Sequence, residues 1–133
     1  MGRGRAKPSV SLIDELIAEK SLVLSKAQAF AAMGMTGMVQ PLWASAASFE
    51  ERIAALLDAH GEDLEAAVHR ISAASCYEKA GDPSRATNLY RAALAGPLRE
   101  VTRKEVEGML AGCLSRLKEA KAPRRPRKTA SAS

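Results

Sequence analysis

Aromatic residues are scarce, only 4% of a chain of 133 residues in which 47% are hydrophobic. A core must then come from Ala, Leu, Ile, Val and Met, a composition suited to closely packed helices. Strand-like alternation of Val, Ile and Tyr is missing as well. Long apolar runs are absent; each is cut by Glu, Lys or Asp, so no segment reads as a membrane span. The basic start lacks the apolar stretch and small-residue cleavage site of a secretory signal. The expectation is a soluble intracellular protein, cytoplasmic, or nuclear in a eukaryotic host. Cysteine is limited to Cys76 and Cys113. Both fall in apolar helical patterns and read as reduced, buried small hydrophobes rather than as a disulfide scaffold. No glycine-rich phosphate loop, nucleophile elbow or zinc-protease pair is present. Nothing therefore points to catalysis or a cofactor.

Charge is present but unevenly placed. The chain carries +5 overall. Arg3, Arg5 and Lys7 at one end, and Lys121, Arg124, Arg125, Arg127 and Lys128 at the other, bring eight cations without an acid. Taking those eight from +5 leaves −3 for the middle. The basic character belongs to the ends, which have the composition of disordered tails at residues 1–8 and 121–133. A folded domain is expected over residues 9–120, one ordinary domain in size.

Within that domain the apolar spacing is helical. Leu12, Leu16, Val23, Ala27 and Phe30 form one stripe, widened by Ile13, Ile17 and Leu24. Ser9 or Ser11 opens it, with Ser11 and Asp14 resembling a capping box. Residues 34–41 hold two glycines and Pro41 and read as a loop. Ser48 then opens a helix through Phe49, Ile53, Leu56 and Leu57, with Glu50 and Glu51 in its first turn at the positive end of the dipole. His60 and Gly61 end it. A helix from Glu62 carries Leu64, Ala67 or Val68, Ile71, Ala74 and Cys76 or Tyr77. Gly81 stops that helix, and Asp82 caps the next with Pro83 at its first position. Ala86, Leu89, Tyr90, Ala93 and Leu94 follow, ended by Gly96 and Pro97. Thr102 with Glu105 suggests another capping box before Val106, Met109, Leu110, Cys113, Leu114 and Leu117. The fold class is all-α, with about five helices in neighbouring antiparallel hairpins.

Around residues 70–97 the pattern resembles one tetratricopeptide repeat. Ala73 and Ala74 stand where that family wants close helix contact, followed by Tyr77. Ala80, Gly81 and Asp82 look like its turn, and Ala86, Tyr90, Ala93 and Leu94 keep its spacing, with Pro97 near the usual terminating proline. Arg70 departs from the aromatic often found there. A partial echo aligns residues 111–114 with 74–77 at a spacing of 37 residues, longer than the family period. The resemblance implies a helical array, or failing that a small bundle. It also implies a partner groove lined by the first helix of each hairpin, with Ile71, Ser75, Glu78 and Lys79 facing it. The basic-and-asparagine clamp by which some relatives hold a terminal carboxylate is not in that set.

Other candidate chemistry is weaker. Arg124, Arg125, Arg127 and Lys128 make a short polyanion-binding or import-signal cluster, without an aromatic for base stacking. Met33, Met35 and Met38 offer thioethers, but a flexible apolar loop accounts for them. His69 and Cys76 share a helix face without a third ligand, so no metal site is expected. The function class is a non-catalytic protein–protein interaction module, an adaptor or scaffold. The alternatives are a small nucleic-acid-associated protein acting through its basic tails and a helical structural subunit of a larger assembly. The wide stripe of the first helix also offers a homodimer surface.

Overall fold

The computed structural model describes residues 8–121, with side chains from residue 12 onward. These residues form five helices and no strand: α1 (Pro8–Ala32), α2 (Thr36–Ala59), α3 (Asp63–Lys79), α4 (Pro83–Leu94) and α5 (Glu100–Lys121). The all-α expectation holds. Extensive contact joins α1 to α2, α2 to α3, α3 to α4 and α4 to α5. Each helix thus packs chiefly on the one that precedes or follows it. Arg124, Arg125, Arg127 and Lys128, and nearly all of both basic ends, lie outside the described residues.

The first three connections are the same turn made three times. Gly34, Gly61 and Gly81 adopt φ of 76°, 77° and 83°. After each glycine the next amide bonds to a carbonyl five residues back: Met35 to Phe30, Glu62 to Leu57 and Asp82 to Tyr77, all at 2.9 Å. This closes the free carbonyls at a helix end, and the left-handed residue it needs is cheap only as glycine. Asp82 then accepts the Arg85 amide at 3.1 Å, with Pro83 behind it, as its position predicts. The link from α4 to α5 is built differently. There the Arg103 guanidinium donates to the carbonyls of Leu94 at 2.8 Å and Gly96 at 3.1 Å, sealing the end of α4.

α2 corrects the expected loop over residues 34–41. It begins at Thr36 and runs through Pro41. The proline removes only the bond its own amide would send to the Gly37 carbonyl, in the second turn. Trp43 packs on the core and carries the helical face back past the proline. Two expectations fall with that loop. Ser48 lies inside α2 and opens nothing, and Glu50 and Glu51 are far from a positive helix end. Neither capping box sits at a helix start, because α1 begins at Pro8 and α5 at Glu100.

Alanine makes the interior. Ala27, Ala46, Ala47, Ala54, Ala66, Ala67, Ala73, Ala74, Ala86 and Ala93 are at most 1% exposed. Side chains this short let helix backbones approach closely. Larger groups fill two centres, Tyr77 and Tyr90 in one to which all five helices contribute, and Ile53, Leu57 and Leu16 between α1, α2 and α3. Leu12, Leu64 and Leu114, expected in apolar stripes, are exposed instead. Leu12 and Leu114 lie on the end helices α1 and α5, each with one main neighbour, so part of each stripe has nothing to pack against.

Candidate functional site

Two carboxylates tie the helices in threes. Glu50 of α2 is buried. It accepts from Lys20 Nζ of α1 at 3.2 Å and meets His69 Nδ1 of α3 at 2.6 Å. A buried carboxylate is costly without partners, and here both oxygens have one. Glu78 of α3 is bonded by the Tyr90 hydroxyl of α4 and by Arg116 of α5, one to each oxygen. Tyr77 makes a smaller link: its hydroxyl donates to Glu51 Oε2 at 2.5 Å, and Arg85 lies over its ring. Burial raises the Tyr90 phenol pKa well above its usual 10, with the Glu78 carboxylate adding to the shift. Tyr77 moves the same way, by burial and then by its bond to Glu51.

The Glu50 cluster borders a cleft of about 310 Å³ between α1 and α3. Leu24 and Gln28 come from α1, Trp43 from α2, and Ser72, Ser75 and Lys79 from α3. The α3 residues follow at helical spacing, so one stripe of α3 faces the opening. Lys79 Nζ stands 4.5 Å from the Trp43 ring centroid. That cation–π contact holds the lysine at the rim and leaves its three donors to solvent. The cleft pairs apolar surface, from Leu24 and Trp43, with hydroxyl, amide and ammonium donors. Such a lining suits a peptide segment with one anchoring side chain and a polar backbone.

Of the four expected groove residues, Ser75 and Lys79 meet in this cleft. Ile71 packs on the core. Glu78 has both oxygens engaged within the fold and lies toward α5. Glu50 and Trp43 were not foreseen as site residues. A signal for Glu50 existed: the acid stands between Phe49 and Ile53, three and four residues from buried Ala46, Ala47 and Ala54.

The thiols do not present a reactive centre. Both cysteines are free and buried. Burial raises their pKa values, with Glu50 adding to the effect at Cys76 and Glu78 at Cys113. Met33, Met35 and Met38 sit exposed around the turn from α1 to α2. Among the described residues no cluster of His, Cys, Asp and Glu could hold a metal ion, and no helix is long and apolar enough to cross a membrane. No protein-family model, curated protein or solved structure matches the chain.

Proposed function

We propose that the chain is a non-catalytic protein-interaction module that holds a segment of a partner in the cleft between α1 and α3. The observation that carries this reading is the cleft's lining. Trp43 and Leu24 give an apolar anchor point, and Gln28, Ser72, Ser75 and Lys79 offer donors and acceptors to a bound backbone. The tetratricopeptide resemblance around residues 70–97 supports it, since members of that family use the first helix of each hairpin for this purpose. Here that helix is α3.

The test is site-directed photocrosslinking in the native host, with the crosslinking side chain at Ser75. The expected result is a discrete adduct that Trp43→Ala and Lys79→Glu each abolish. The same substitutions should abolish saturable binding of the captured segment to purified protein. No adduct, or one indifferent to both substitutions, would overturn the reading.

A further inference from the structure

A second cleft, of about 360 Å³, opens along α4 and α5 on residues the partner groove does not use. Ser84, Thr87, Asn88 and Arg91 line it from one stripe of α4, and Leu114, Leu117, Lys118 and Lys121 from α5. No carboxylate lines it. Arg91, Lys118 and Lys121 are exposed, and none is in an ion pair among the described residues. By contrast Lys20, Arg70, Arg85 and Arg116 all face an acid.

The cations are strung out rather than gathered. Leu94 meets Arg103 and Tyr90 meets Met109, so the two helices run antiparallel. Arg91 therefore lies toward one end of the cleft and Lys121 toward the other. The helix dipole favours a cation in the last turn of either helix. It does not account for the hydroxyl and amide donors between them.

Thr87 is covered beneath this rim, 3% exposed, with the Cys113 thiol within reach of its hydroxyl, so the open face of the cleft belongs to the cations and to Ser84 and Asn88. The chain also runs on from Lys121 into Arg124, Arg125, Arg127 and Lys128, which prolongs the row of cations in sequence.

We propose that the α4–α5 cleft binds the phosphodiester backbone of a nucleic acid. A repeating anion matches a row of cations better than a single charged group does. No aromatic residue lines the cleft, so the contact is to phosphates and carries no base readout.

The experiment is fluorescence anisotropy of the full chain with a labelled oligothymidylate, and with a duplex of equal length, over a salt series. Three variants are compared: Arg91→Ala/Lys118→Ala/Lys121→Ala together, Thr87→Val, and the tail with its four cations at 124–128 changed to alanine. Circular dichroism confirms that each is folded. The triple variant, tail intact, is expected to bind at least roughly tenfold more weakly at low salt. Its slope of log K against log salt on the single strand should be shallower by about two, as for three lost phosphate contacts. Thr87→Val, whose hydroxyl is covered, is expected to bind as the native chain does. Preference between strand and duplex identifies which form the cleft accepts. The proposal is overturned if the triple variant binds as the native chain does. It also falls if the full chain binds neither form at low salt, or if polyglutamate of equal charge competes as well as the oligonucleotide.

Discussion

Glu50 is buried at the edge of the α1–α3 cleft, and its two partners offset the cost of that burial. Removing the carboxylate leaves Lys20 and His69 without the acid that joins them. Full burial of an orphaned charge costs about 3–5 kcal/mol. Lys20 retains 16% exposure and can reach water, so Glu50→Ala is expected to cost nearer ~2 kcal/mol by urea unfolding. The exposed Glu119→Ala should fall within about 0.5 kcal/mol of the native chain. Titration adds a second residue-scale expectation. The thiols of Cys76 and Cys113 and the phenols of Tyr77 and Tyr90 all have raised pKa values in the fold. A raised folded pKa means the folded state keeps its proton where the unfolded chain has lost it. The stability is fully present below the unfolded pKa and falls as pH climbs toward the folded one. The melting temperature should hold through neutral pH and drop from about pH 9, where unfolded thiols begin to ionise, and more steeply from about pH 10 with the phenols. Tyr90→Phe should flatten the upper part of that decline in alkaline thermal melts, at the expense of the bond to Glu78.

At the scale of the element, the three glycine turns and Pro41 pull in opposite directions. Gly34→Ala, Gly61→Ala and Gly81→Ala each put a Cβ at positive φ, costing about 1–2 kcal/mol. At Gly81 the Cβ would also stand 3.0 Å from the Gln40 amide nitrogen, but that exposed side chain can swing aside, so the three should cost about the same. Pro41→Ala returns an amide to the α2 ladder and is expected to raise stability by about 1–2 kcal/mol, somewhat less than the full interior-proline penalty because the unfolded chain regains freedom. Thermal denaturation of the four variants checks both signs. These elements also explain what could be read beforehand. Gly61, Gly81, Asp82 and Pro83 are local devices whose effect depends on a few adjacent residues, and they were legible. The extent of α2 was not, because a proline's local cost is offset by Trp43 and the alanines packing far from it in sequence. The same distance hid the role of Glu50, whose partners Lys20 and His69 belong to different helices. Ser75 and Lys79 are placed on a groove by the tetratricopeptide resemblance, which implies one along the first helix of the hairpin. Separating them from Ile71 and Glu78 needed the positions of the core and of α5.

Across the whole molecule, Glu50 is buried and Glu78 half-buried, each held by its partners, while Arg91, Lys118 and Lys121 line the α4–α5 cleft without an acid. The α1–α3 cleft and the cationic cleft share no lining residue. Lys79→Glu should thus leave oligonucleotide binding unchanged, and the Arg91/Lys118/Lys121 variant should leave the Ser75 crosslink in place. The neighbour-on-neighbour order of the helices has a further consequence, in time rather than in space. Most contacts form between segments close along the chain, so little loop entropy must be lost before packing begins. Refolding from urea, followed by stopped flow or temperature jump, is expected to finish within microseconds to milliseconds, in the range of small helical proteins. A slow main phase of seconds would mean that the helices find their partners in some order other than the one in which the chain presents them.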